Sequence, residues 1–158
     1  MAFPRKSYAP LIVFSNYSFL EGASFPEELA LQAAAFDLPA IAITDKDGFY
    51  GIVRAHVATR DCGVHLVVGA TLTRNDGPPL VVLVKDKEGY FALATLISQG
   101  RHQSDKGTSF LSTPQLLQWL SPEHHFIIHP ALSQETHLPL LLLPRFKDAL
   151  FASIARYM

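Results

Sequence analysis

The sequence predicts an α/β fold built on a largely parallel sheet. Three observations carry that expectation. Short apolar runs without polar alternation recur along the chain, as strands buried on both faces require. Segments with helix start and stop signals separate them. The chain has 158 residues, 49% hydrophobic and 17% charged, which suits one core and excludes a disordered polypeptide.

The elements follow in order. Leu11, Ile12, Val13 and Phe14 read as a first buried strand. Ser24, with Glu27 three residues on and Pro26 in the first turn, reads as the capping box of a helix that runs to about Phe36. Residues 40–44 form a second apolar strand, ending in the polar turn Asp45, Lys46, Asp47, Gly48. A helix from about Tyr50 to Asp61 stops at Gly63, and residues 66–69 make a third strand. Asn75, Asp76 and Gly77 signal a turn before a strand at 80–84. Tyr90 to Ser98 reads as a helix closed by Gly100, followed by an exposed polar loop at 101–108. Thr113 and Pro114 open a short helix through Trp119. Residues 125–129 and 138–143 are candidate strands, and 146–156 a final helix. No internal repeat is visible.

The formal net charge is -1, so the basic excess typical of a stand-alone nucleic-acid binder is absent, and contact with DNA is expected only indirectly. Cys62 is the single cysteine, which excludes an intramolecular disulfide and fits a cytoplasmic protein. No apolar stretch is long enough for a signal peptide core or a membrane span.

In a parallel α/β fold, functional groups gather past the C-terminal ends of strands. Three segments lie there: residues 14–24, 44–48 and 68–71. In the first, Ser15, Asn16, Ser18, Leu20, Gly22, Ala23 and Ser24 match a pattern that follows a strand ending in His-x-His. In the second, Ile43, Thr44, Asp45, Asp47, Gly48, Tyr50 and Gly51 match Ile-Thr-Asp-His-Asp-Gly-x-Tyr-Gly. In the third, Val68, Gly69, Ala70 and Leu72 match Val-Gly-Ala-Glu-Leu. With these motifs the chain resembles the PHP (polymerase and histidinol phosphatase) domain of bacterial DNA polymerase III alpha subunits. The resemblance is strongest over residues 8–118. Val53, Arg54, Ala55 and His56, with Gly100, Arg101, Lys106 and Gly107, look closer to the error-prone alpha subunits.

The resemblance implies a PHP-type (β/α) barrel, and at this length a partial one: a single truncated domain over 1–158. It also implies a metal site that this sequence has lost. The two histidines of His-x-His fall on Ile12 and Phe14, the histidine of the second motif on Lys46 and the glutamate of the third on Thr71. None of these side chains offers the imidazole or carboxylate that such metals take. Glu21, Asp45 and Asp47 keep acidic groups, sufficient at most for a weak hard cation. Ile12 and Phe14 are expected to fill the former site, with Lys46 paired to Asp45, Asp47 or Glu21. The expectation is no cofactor, no metal and no catalytic residue.

The other candidates have ordinary readings beside functional ones. His129 is either a late metal ligand or a strand-end histidine beside His124 and His125. His56 reads as a helix-face residue, His65 as a strand-edge residue, and Cys62 as an unreactive helix-end thiol. Arg101, His102 and Lys106 read as a solvated basic loop, and Phe110 and Trp119 as packing residues. Three functions stay open. The first is a non-catalytic module supporting a DNA polymerase in replication or error-prone repair synthesis, with polymerase subunits or the rest of an alpha subunit as partner. The second is a phosphoesterase or 3′–5′ exonuclease with a rearranged site around Glu21, Asp45, Asp47 and His129. The third is a small protein that binds polymerase-complex subunits. Unpaired strand edges of a partial barrel also raise self-association.

Overall fold

The computed structural model describes residues 8–130, 144–146 and 148–153. The chain divides into two compact units, Met1–Ala70 and Thr71–Met158.

In the first unit, helix α1 (Pro26–Ala35) leads to strand β1 (Ala40–Ile43), helix α2 (Ile52–Cys62) and strand β2 (His65–Leu72), whose last two residues enter the second unit. β1 and β2 run parallel, from Ala40 opposite His65 to Ile43 opposite Val68. α1 packs on α2. Beneath them Ala33, Ile41 and Val64 form one apolar cluster, and Ile43, Ile52 and Ala55 another, with Val13 and Leu29 packed against both.

Two expectations change here. Residues 11–14 do not form a regular strand. They run alongside β1, where Pro10 and Val13 carbonyls accept from the Ala42 and Thr44 amides (2.9 and 2.8 Å). The ladder breaks because the Val13 N–H goes to the Thr44 hydroxyl at 3.0 Å. Leu11 and Ile12 are 41% and 38% exposed, so the segment is not buried on both faces. The start of α1 also moves by one residue. Phe25, not Ser24, is the N-cap, and its N–H donates to Glu28 Oε2 at 2.8 Å. Phenylalanine has no side-chain acceptor, so only this half of a capping box exists. Pro26 fills the first helical position as expected. At the other end of the pair, Gly63 caps α2 with φ +75°, the left-handed conformation that glycine adopts without strain.

The second unit holds strand β3 (Leu80–Val84), helices α3 (Lys87–His102) and α4 (Thr113–Trp119), and strands β4 (His125–Pro130) and β5 (Leu150–Ser153). β3 pairs antiparallel with β4, and β4 pairs parallel with β5. With β1–β2 and β4–β5 both parallel, the chain is α/β with mostly parallel strands.

α3 is longer than the sequence predicts. Asp86 caps it, accepting from the Gly89 N–H at 2.8 Å. Gly100 does not end the helix. It lies inside it, where a Cβ would stand 2.9 Å from Ser109 Oγ and 3.0 Å from Leu111, so glycine is there for close packing. The expected final helix is also replaced. Among the described residues of this stretch, 144–146 are helical and Leu150–Ser153 is β5, with Leu150 opposite Ile127. The candidate strand at 138–143 and the last residues of the expected helix lie outside the described residues. Among the described residues, no helix is long and apolar enough to cross a membrane.

Candidate functional site

Asp45 sits just past the end of β1 and is 1% exposed. A carboxylate in such a place needs donors, because burying an unpaired charge is costly. Four groups of the first unit supply them. The Ser15 N–H donates to Oδ1 at 2.8 Å, and the Ser18 hydroxyl to the same oxygen at 2.8 Å. The Ser15 hydroxyl lies 2.9 and 2.8 Å from the two oxygens and shares its one hydrogen between them. The Gly51 N–H donates to Oδ2 at 3.1 Å. Ser18 Oγ in turn accepts the Lys46 N–H at 3.0 Å.

The loop over residues 15–24 is shaped for this. Ser18, Glu21 and Gly22 amides turn back on the Ser15 and Ser18 carbonyls, and the Asn16 N–H closes on the Ser24 carbonyl at 2.9 Å. Gly22 permits the closure: a Cβ there would lie 2.2 Å from the Ser15 carbonyl oxygen. Gly51 allows its amide to reach Asp45, since a Cβ would stand 2.7 Å from Oδ2. Leu20 (φ +65°) and Asp47 (φ +49°) hold left-handed backbone conformations, tolerable for Asp and unusual for Leu.

Lys46 Nζ pairs with Glu21 Oε1 at 2.7 Å, so of its three expected partners Glu21 takes the side chain. That hydrogen bond raises the Lys46 pKa, with burial opposing it. Asp47 is buried at 6% exposure. Phe14 is half-buried, but Ile12 remains exposed and does not fill an interior site. Thr71 lies in β2, buried at 6% exposure, in the second unit. His129 lies in β4 opposite Ala152. Glu21 and Asp45 are therefore each tied to protein groups of the first unit, one to an ammonium and the other to hydroxyls and amides. Among the described residues, no group of three or more His, Cys, Asp or Glu is arranged to hold a metal ion. Ser15, Ser18 and Gly51 stood in the motifs without an assigned role. The signal was the buried acid itself, which required donors nearby.

The second unit has its own polar clusters. His124 Nδ1 lies 2.7 Å from Asp86 Oδ2, a contact that raises the His124 pKa and lowers that of Asp86. His125 is fully buried. Its Nε2–H donates to the Gly89 carbonyl at 3.0 Å, which leaves Nδ1 to accept the Ser121 N–H at 3.2 Å. Burial pushes its pKa down. Arg74, which the sequence reading passed over, is also buried. Its guanidinium donates to Asp76 Oδ1, to the Pro78 carbonyl and to the Thr113 hydroxyl at 3.0, 3.1 and 3.0 Å. Asp76 also accepts the Thr113 N–H at 2.7 Å. Burial pushes the Asp76 carboxyl up, but the Thr113 and Arg74 contacts outweigh it and its pKa is lowered.

His56 and His65 lie exposed on α2 and β2, as expected. Cys62 ends α2 half-buried, with its thiol 3.6 Å from the Ala30 carbonyl. Trp119 is half-buried, but Phe110 is 45% exposed and is not a core residue.

Comparisons with known proteins place the chain in a family. The family model described as PHP domain matches residues 11–158. The error-prone DNA polymerase of Methylococcus capsulatus is 42% identical over 109 residues, which are 69% of this chain and 10% of that protein. That of Pseudomonas aeruginosa is 43% identical over 126 residues, 75% of this chain and 12% of that protein. The chain thus spans about a tenth of the length of these relatives. Among solved structures, an amidohydrolase from Chromobacterium violaceum is 28% identical with a TM-score of 0.49, over 60% of this chain and 33% of that one. The error-prone relatives match the leaning that Val53 to His56 and the 100–107 segment carried. The chain belongs to the PHP domain family.

Proposed function

We propose that this PHP domain is a non-catalytic, structural module of an error-prone DNA polymerase, working in the cytoplasm and meeting DNA only through the polymerase. One observation carries the reading. The carboxylate of Asp45 is consumed by Ser15, Ser18 and Gly51, so it acts as a staple for the site loop. The residues do not fit the metal that the family implies. Ile12, Phe14, Lys46 and Thr71 offer no imidazole or carboxylate, and Glu21 is paired with a cation. A site so altered keeps the loop in place and loses the Lewis acid that phosphate hydrolysis would need.

The test has two arms. The purified chain is assayed for bound zinc, manganese and iron, and for release of phosphate or nucleotides in their presence. The expected result is no stoichiometric metal and flat activity; metal-dependent hydrolysis overturns the proposal. In the second arm the chain replaces the matching segment of a full-length error-prone polymerase. Primer extension should persist at the parental rate. A folded chimera that no longer extends primers would count against structural support.

A further inference from the structure

Two adjacent histidines stand where the first turn of α3 meets the start of β4. His124 reaches Asp86, the cap of α3, with Nδ1 2.7 Å from Oδ2. His125, the first residue of β4, is fully buried instead. Between them the two side chains hold Gly89. Its N–H goes to Asp86 Oδ1 and its carbonyl accepts from His125 Nε2. The helix turn fits closely against this corner: a Cβ on Gly89 would stand 2.5 Å from the His124 carbonyl oxygen.

The two contacts need opposite protonation states. His124 binds Asp86 most strongly as an imidazolium, in a charge-assisted hydrogen bond. His125 must stay neutral. Its Nδ1 is the acceptor for the Ser121 N–H at 3.2 Å, and an imidazolium has no acceptor. The Ser121 carbonyl, also 3.2 Å away, already accepts the His124 and His125 amides. A proton on His125 would therefore set N–H against N–H, charge a buried ring, and place that charge one residue from the first. Asp86 cannot compensate, since its two oxygens already serve Gly89 and His124. The other charged groups at this corner are Glu88 on α3, Glu123 in the turn and Lys85 just past β3. Glu88 and Glu123 act on His124, whereas Lys85 Nζ is held by the Pro122 carbonyl and over the Phe126 ring. The strand itself depends on neither proton. The Lys85 N–H donates to the His124 carbonyl at 2.9 Å, and Val84 pairs with His125 in the β3–β4 ladder.

We propose that His124 and His125 form a proton-operated clamp: acid expels the His125 ring, and the first turn of α3 is released from β4 while β4 stays paired with β3. Protons enter in order. His124 takes the first and tightens the clamp, because Asp86 favours its charged form. His125 takes the second at lower pH, because burial opposes it. Release therefore follows His125 alone. The clamp is independent of the non-catalytic reading, since neither Asp45 nor the altered ligand positions belong to it.

Nitrogen–proton correlation spectra of the histidine rings test it, recorded on the whole chain together with amide hydrogen exchange from mildly alkaline to mildly acid pH. The Ser121 amide is the reporter, because its acceptor is His125 Nδ1. Its protection should fall about tenfold or more along the His125 titration curve, with the β3–β4 amides still protected. The Gly89 carbonyl carbon shift should move on the same curve as its bond to His125 is lost. His124→Gln removes the neighbouring charge at a half-buried position and should fold normally. It should make His125 about threefold easier to protonate, so that both changes move to higher pH. The proposal is overturned if His125 stays neutral until the whole chain unfolds, or if the Ser121 amide stays protected once His125 is charged. Curves that stay in place in His124→Gln overturn the coupling of the pair.

Discussion

Asp45 in the first unit and Arg74 in the second are both charged side chains taken out of water, yet they are partnered differently. Among the described residues, Asp45 receives no cation. Its partners are two hydroxyls and two backbone amides, drawn from loops about thirty residues away and from Gly51 nearby. Arg74 receives a carboxylate, Asp76, only two residues on, and a hydroxyl and a carbonyl besides. The difference is informative. A carboxylate held by neutral donors has its oxygens already occupied, and its loss strands four donors at once. A local ion pair leaves a partner that still reaches solvent, since the Asp76 side chain is 37% exposed.

The largest effect should come from Asp45→Ala. It leaves the Ser15 and Gly51 amides and two hydroxyls without their acceptor, and should cost about 3–5 kcal/mol in urea unfolding. A loss under about 1 kcal/mol would mean that the staple is dispensable. Arg74→Met should cost less, about 2–3 kcal/mol, because Asp76 can hydrate and keeps the Thr113 amide. If Arg74→Met proves the more damaging of the two, the ordering drawn from donor number fails.

Next in size is a pH effect confined to the second unit. His125 has its pKa lowered from 6.5 by burial, so the unfolded chain takes up its proton first. Its contribution is complete above that value and is lost as pH falls through the lower folded pKa. Stability of His125→Gln should therefore decline less on acidification than that of the parent. His124 has the opposite sign. Its pKa is raised by Asp86, so its contribution is present in acid and fades as pH rises through the folded value. Unfolding midpoints measured from mildly acid to mildly alkaline pH separate the two.

The smallest effect should come from Lys46→Ala. The pair with Glu21 is 47% and 36% exposed, and solvent screening leaves it worth less than about 0.5 kcal/mol. A larger loss would show that Lys46 supports the loop by more than this pair.

Legibility in the sequence differed between the units for a physical reason. The first unit's polar cluster is built from motif residues close to β1, so Asp45, Glu21 and Lys46 stood out before folding. Arg74 stood just before the turn read at Asn75 to Gly77 and drew no notice, because its hydroxyl partner Thr113 lies far along the chain. The helix start at Ser24 slipped to Phe25, because the Glu28 carboxylate caps the Phe25 amide. The expected last helix failed where β4 accepted Leu150–Ser153 as a parallel neighbour. A ladder of backbone hydrogen bonds then outweighed local helix preference.

The sequence by itself determined the order of most elements, the α/β class and the residue types in each motif. These depend on residue type and near-neighbour patterning, which are local properties. Only the tertiary structure decided which groups satisfy Asp45, that Glu21 rather than Asp45 or Asp47 takes the Lys46 ammonium, and that Phe19 and Leu20 stand outward. Those outcomes depend on which distant donors, acceptors and apolar faces the folded backbone brings within a few ångströms, and no local pattern specifies that.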